Sequence, residues 1–399
     1  MNRRQFLRTS IGVGAAGLLA GSAAVTIDDL LRAAHERPRA AGDGALVIVT
    51  LYGGNDGLNT VIPYSDSAYH DARPELAYAQ HEVLPLDSAL GLNPALRGLQ
   101  SQWTAGNLAI IRGVSYPQPD HSHFRSMDIW QTASPSEPVN TGWIGRWLDA
   151  TGKDPVRAVN IGSVLPPLAV GATATAATLS DSTSAPLHTQ LVSALGVADP
   201  ADAATMSQVR ASFRDAVHAS STFHDATAAT PVTHRSNSHA NSLAAQLDVV
   251  AACIKARVPT RVYSVQLGGF DTHAAERGIQ QRTLATLDTA IAPFLHTMAG
   301  DHYGNNTVVM VYSEFGRRVR ANASQGTDHG TAGPMFIAGI PVRGGFYGGE
   351  PSLTDLNNGD LKPTMDFRDV YHEVLERVIG ADPTAAVGPG RTSPGFIAA

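Results

Sequence analysis

The sequence predicts an α/β fold built on a doubly wound, mostly parallel sheet. Short apolar, β-branched runs recur along the chain at residues 45–52, 108–112, 158–161, 261–267, 307–312 and 335–338. Such continuous runs are the pattern of strands buried on both faces. Between them lie stretches of helical periodicity, at 93–104, 122–132, 141–151, 242–257, 282–298 and 367–379, and this alternation is that of a doubly wound sheet. The third observation is where the acids and imidazoles fall. They cluster just after the apolar runs, where the strand ends of an open α/β sheet converge on a ligand.

The first residues precede the fold. Met1-Asn-Arg3-Arg4-Gln-Phe6-Leu7 leads into a mildly apolar run rich in Gly and Ala, residues 11–25. That is the layout of an export signal, too short and too weakly hydrophobic for a spanning helix. The arginine pair predicts the twin-arginine export machinery as a partner, with cleavage near Gly21-Ser22-Ala23 and a periplasmic or otherwise exported product. Residues 1–23 are thus expected as signal, 24–44 as linker and 45–399 as one α/β domain.

Composition narrows the function. The single cysteine, Cys253, excludes an intrachain disulfide. Losing Arg3, Arg4 and Arg8 with the signal takes the 29 basic residues to 26 against 35 acidic, a net of −9. That balance argues against nucleic acid or an anionic membrane as partner. No later run is long enough for a transmembrane anchor. From about residue 171 to 240 the chain turns to Ala, Ser and Thr with scattered His, and is expected to form an inserted helical cap or a surface loop.

The first apolar run ends in Gly53-Gly54-Asn55-Asp56-Gly57. Glycines there let the backbone approach a ligand, so Asp56 is a candidate metal carboxylate, with an Asx turn or helix cap as the alternative. Asp271 and His273 stand two apart after the 261–267 run, and in an extended exit both reach the same side. A mixed oxygen and nitrogen pair suits zinc or manganese better than calcium; alternatively Asp271 caps the following helix. Glu314 follows the 307–312 run, as a ligand or as an ion-pair partner of Arg317 or Arg318. Asp328 and His329 lie in the loop Gly326-Thr-Asp-His-Gly330, His329 as a ligand and Asp328 as a second ligand or the group that orients it. Ser122 enters a helix from the loop Tyr116-Pro-Gln-Pro-Asp-His121. It is the candidate nucleophile, with the helix N-terminus to stabilise an attacked anion, and a plain N-cap is the alternative. His121, His123 and Arg125 are candidate anion-binding residues. Trp130, Trp143 and Trp147 share apolar helical spacing and are expected in the core.

Taken together, the signal, Leu51-Tyr-Gly-Gly-Asn-Asp-Gly-Leu-Asn-Thr60, Ser122-His-Phe-Arg-Ser-Met-Asp-Ile-Trp130, Gly268-Gly-Phe-Asp-Thr-His273, Ser313-Glu-Phe-Gly-Arg317 and Gly326-Thr-Asp-His-Gly330 resemble the exported bacterial proteins catalogued as domain of unknown function 1501. That family is grouped with the alkaline phosphatase and sulfatase superfamily. The resemblance implies an alkaline phosphatase-like sheet, one or two divalent metal ions (zinc, manganese or calcium) and an alcohol-type nucleophile. Where many superfamily members carry Asp-His or Asp-Asn, this chain has Ser313-Glu314, which leaves a second metal position open. The chain lacks the Cys-x-Pro-x-Arg pattern of a formylglycine sulfatase and the Gly-x-Ser-x-Gly elbow of a serine esterase. The expected function is exported, metal-dependent hydrolysis of a phosphate or sulfate ester, small or polymer-borne, with Ser122 or a metal-activated water attacking. The alternative is a noncatalytic envelope protein, stabilised by metal, that binds a polymer such as an exopolysaccharide.

Overall fold

The computed structural model describes residues 23–152, 154–162, 164–179 and 242–398. Its strands are β1 (Ala23–Ala24), β2 (Ala45–Leu51), β3 (Val61–Ile62), β4 (Leu84–Pro85), β5 (Gly91–Leu92), β6 (Leu108–Ser115), β7 (Ala158–Ile161), β8 (Ala177–Leu179), β9 (Val262–Leu267), β10 (Thr307–Ser313), β11 (Gly333–Ala338), β12 (Gly345–Tyr347) and β13 (Met365–Asp366). The helices are α1 (Ile27–Glu36), α2 (Ser67–Ala72), α3 (Arg97–Thr104), α4 (His123–Thr132), α5 (Trp143–Thr151), α6 (Leu243–Lys255), α7 (Glu276–Ala299), α8 (Phe367–Glu373) and α9 (Thr384–Val387). None of them is long and apolar enough to cross a membrane.

All six predicted strands and all six predicted helices are present, with ends shifted by a few residues; α7 starts earliest relative to expectation. The main sheet runs β1-β8-β7-β9-β2-β10-β11-β6-β12, with β13 also on β6. From β1 to β10 every pairing is parallel. β11 is antiparallel to both of its neighbours, so β6 points the same way as β10. The carboxyl ends of β2, β6, β9 and β10 therefore meet the start of β11 at one edge of the sheet. β3, β5 and β4 form a separate small sheet.

All seven residues of β2 are buried, because helices cover both sheet faces. Val47, Val49 and Leu51 pack with residues of α1, α3, α6 and α7 such as Leu30, Leu99, Leu247 and Leu287. Leu46 and Ile48 point the other way, into a core with Trp130, Trp143, Trp147 and Tyr371, as the two-residue period of a strand requires. Trp130 stacks on Tyr312 at 5.1 Å between ring centroids and Trp143 on Tyr371 at 4.3 Å, so the tryptophans are structural.

Two expectations change. Residues 24–44, read as a linker, carry α1: Thr26 and Asp29 close a capping box, and Leu30, Ala33 and Ala34 are buried. The Ala/Ser/Thr-rich stretch begins in the sheet, since Ala177–Leu179 pairs in parallel register with β7. Small side chains suffice there because Ala177 and Leu179 join the apolar core. The rest of the expected cap, residues 180–240, lies outside the described residues.

Candidate metal centre

Four chain segments reach the shared sheet edge: the loops after β2, β6 and β9, and the β10–β11 connection. They pack backbone to backbone. A Cβ on Gly53, whose φ is +119°, would lie 2.4 Å from the Asp271 nitrogen, and one on Gly326 would lie 2.2 Å from the carbonyl carbon of His273. Glycine at these two positions lets the loops close on one another.

At their meeting point the Asp271 carboxylate is surrounded by three imidazoles. Its Oδ1 lies 2.9 Å from His273 Nε2, 3.2 Å from His329 Nε2 and 3.5 Å from His123 Nε2. His273 and His329 bring their Nε2 atoms within 3.0 Å of each other. Ligand atoms of His123, Asp271 and His329 all lie within 4.8 Å of one another, a grouping able to hold a metal ion. Phe315, buried, forms the apolar wall, with its ring 4.9 Å from that of His123 and 4.7 Å from that of His329.

The remaining ring nitrogens fix which atom each imidazole presents. His329 Nδ1 is 2.7 Å from the His121 carbonyl oxygen, an acceptor only, so Nδ1 donates and Nε2 is left with its lone pair. His123 Nδ1 donates to Glu314 Oε1 at 2.8 Å, and its buried Nε2 has no hydrogen-bond partner. His273 Nδ1 faces Asp328 Oδ1 at 3.6 Å. A carboxylate or carbonyl behind each ligating imidazole is the usual support of a metal centre. The unpartnered Nε2 and the convergent nitrogens fit such an ion: two nitrogens on one tetrahedral zinc lie roughly 3.3 Å apart. The donor set, three imidazoles and one carboxylate, suits zinc or manganese better than calcium.

The electrostatics follow from the same contacts. Burial raises the Asp271 carboxyl, but the hydrogen bond and positive charge of Arg317, with the imidazoles around it, outweigh it and hold it at about 2. Burial also raises Glu314; hydrogen bonds from His123, the Gly53 amide and Ser313 bring it below the usual carboxylate range. The bond to Glu314 in turn lifts His123 above the ordinary histidine value. His329 is pushed down, chiefly by burial.

The structure brings together Asp271, His273 and His329, each expected as a ligand, and sets beside them His123, which was expected to bind an anion. Glu314 and Asp328 sit one layer behind, each against an imidazole. Asp56 is a correction. It is buried in an ion pair with Arg73 at 2.5 Å and accepts the Leu58 amide at 3.1 Å, capping the turn Gly57–Asn59. The alternative of an Asx-type cap describes it, because a guanidinium already neutralises its charge. The anion-binding set also changes. Arg125 pairs with Asp128 at 2.6 Å, and the His121 ring turns to Asp360 at 2.8 Å while its carbonyl holds His329. Ser122 is exposed at the N-cap position of α4, and its hydroxyl makes no capping hydrogen bond.

Sequence reasoning missed two groups. Asp360 belongs to no motif and comes from a remote turn, so nothing in the sequence pointed to it. Arg317 stood in view within Ser313-Glu-Phe-Gly-Arg317, but it pairs with Asp271 at 2.7 Å rather than with Glu314.

Known proteins can be set beside this geometry. A twin-arginine translocation signal matches residues 1–20, so the chain is addressed for export by that pathway. No protein of curated function matches the sequence. Among solved structures, a protein in the alkaline phosphatase superfamily from Vibrio parahaemolyticus is similar at 11% identity and a TM-score of 0.44, over 90% of this chain and 76% of that one. The C-terminal periplasmic domain of EcEptC from Escherichia coli, in complex with Zn, is similar at 11% identity and 0.38, over 88% of each chain. Ps i-CgsB in complex with k-i-k-neocarrahexaose is similar at 9% identity and 0.43, over 88% of this chain and 75% of that one. The family model described as protein of unknown function (DUF1501) matches residues 115–388, more than half of the chain, and the protein belongs to that family.

Proposed function

We propose that the protein is an exported, metal-dependent hydrolase of a phosphate or sulfate ester. The observation that supports this reading is the set of three imidazole Nε2 atoms around Asp271 Oδ1, one of them buried without a partner. His123, Asp271, His273 and His329 would hold one divalent ion, and Glu314, Asp328 and the His121 carbonyl would orient them. Such an ion supplies Lewis acidity towards an ester oxygen and lowers the pKa of an attached alcohol or water.

Asp271, Glu314 and Asp328 are negative and Arg317 positive, so a divalent ion brings the centre to about neutral and itself offers the positive charge that an anionic ester oxygen would meet. The carboxylate of Asp271 and the ring of His273 are each about half exposed, which opens the centre to solvent. Ser122 stands next to the ligand His123 at the start of α4, where free amides and the helix dipole stabilise negative charge. Its uncommitted hydroxyl is the proposed nucleophile. It attacks phosphorus or sulfur, the alcohol leaves, and water then frees the serine.

The test is turnover of activated aryl phosphates, phosphodiesters and sulfates by mature protein supplied with zinc, manganese or calcium, with elemental analysis alongside. His329→Ala should lose the metal and the activity. Ser122→Ala should keep the metal and lose at least about a hundredfold in rate. An unchanged rate in Ser122→Ala would assign the attack to water, and no turnover by metal-loaded wild type would leave the noncatalytic polymer-binding reading in its place.

A further inference from the structure

Arg317 is completely buried, and a buried guanidinium is costly unless its donors are satisfied. It donates Nε to the Gly54 carbonyl at 2.6 Å and Nη1 to the Thr327 carbonyl at 2.8 Å. Nη2 reaches the carbonyls of Gly53 and Phe270, the latter at 3.1 Å, and Asp271 Oδ1 at 2.7 Å. Four of these five acceptors are backbone oxygens, spread over the loop after β2, the loop after β9 and the stretch before His329. Main-chain partners on three segments hold the fork in one place whatever Asp271 does.

Asp271 is in the opposite situation. Its side chain is about half exposed and would be free to turn. The oxygen that Arg317 grips is the same Oδ1 that faces the Nε2 atoms of His273 and His329. A carboxylate left to rotate would have to be ordered when the ion binds, at a cost in affinity.

We propose that Arg317 is a positioning residue of the metal centre: its buried guanidinium locks Asp271 against the three imidazoles, so that the site is assembled before the ion arrives. This rests on the metal-centre part of the function proposed above. Lysine cannot replace it, since an ammonium group has neither the planar fork nor the reach to serve three loops and a carboxylate together.

The experiment is a zinc titration against a competing chromophoric chelator, on wild type, Arg317→Lys, Asp271→Ala and the double variant. Arg317→Lys should bind zinc about 10- to 100-fold more weakly, the range for losing a group that orients a ligand. In the Asp271→Ala background the same substitution should change zinc affinity by less than about threefold, because its effect passes through Asp271. Thermal melts of chelator-treated protein, run in parallel, report any general loss of stability. Zinc affinity within about threefold of wild type in Arg317→Lys, or an equal loss in both backgrounds, would overturn the proposal. Should Arg317→Lys not fold, a crystal structure of zinc-loaded wild type decides: Arg317 still bonded to Asp271 supports it, and Arg317 turned away refutes it. Wild type that binds no zinc removes the metal centre and this proposal together. Zinc binding without ester turnover removes only the hydrolase reading.

Discussion

Replacing Glu276 with glutamine should make the protein's stability less sensitive to alkali. Glu276 opens α7, is fully buried, and accepts the Thr327 hydroxyl at 2.5 Å through Oε2, while Oε1 receives no donor. Burial and the adjacent charge of Asp56 push its carboxyl from 4.5 up to about 9. The folded protein therefore binds a proton that the unfolded chain releases. Because the folded value is the higher one, the group's contribution is complete below about pH 4.5 and is lost progressively as pH rises towards 9. Within that window the loss is on the order of 1 kcal/mol per pH unit, or about 3 kcal/mol between pH 6 and pH 8. Glutamine keeps the shape and a neutral donor but cannot ionise, so it lacks this slope. Melts of both proteins in chelator, at matched ionic strength, should show wild type losing roughly 3 °C more than Glu276→Gln between those pH values. Parallel pH profiles would refute the buried, protonated acid.

Two further outcomes follow from contacts already described. Asp56→Asn leaves the Arg73 guanidinium buried beside a neutral amide and should destabilise the fold by about 3 kcal/mol in denaturant titration. Zinc affinity should stay as in wild type, and a loss as large as that in His329→Ala would restore Asp56 to the ligand set. Replacing Arg3 and Arg4 with lysine should leave the protein unprocessed in the cytoplasm, since ammonium groups match a guanidinium-reading receptor poorly; normal processing on a blot of cell fractions would contradict this.

The sheet was legible because burial on both faces writes a strand as an unbroken apolar run. Residues 45–51 and 307–313 carry that run in full, and they pair as β2 and β10. The strands that escaped notice are two or three residues long, such as Gly345–Tyr347 and Met365–Asp366. Segments that short carry no period to read. The antiparallel setting of β11 escaped for another reason: an apolar run records burial, not direction. The helix Ile27–Glu36 was hidden by its low apolar content, although Thr26 and Asp29 hold a capping signature that a closer reading of 24–44 would have found.

At the site, the residue types were legible and their roles were not. Asp271 and His273 follow the end of β9 and His329 closely precedes the start of β11, so the strands fix where each side chain starts and proximity in space can be inferred. His123 and Asp56 were exchanged because position after a strand does not reveal what a side chain meets. Asp56 meets Arg73, 17 residues further on and contributed by the cap of α2. His123 meets Glu314, 191 residues away. A histidine in the first turn of a helix reads as an anion binder until a buried carboxylate accepts a hydrogen bond from its Nδ1 and turns the other nitrogen inward. Glu314 supplies that carboxylate, and its longer side chain explains the departure at Ser313-Glu314: it spans the gap to His123 while Ser313 donates to its second oxygen at 2.8 Å. The acid after β10 therefore reaches the cluster through an imidazole contributed by α4.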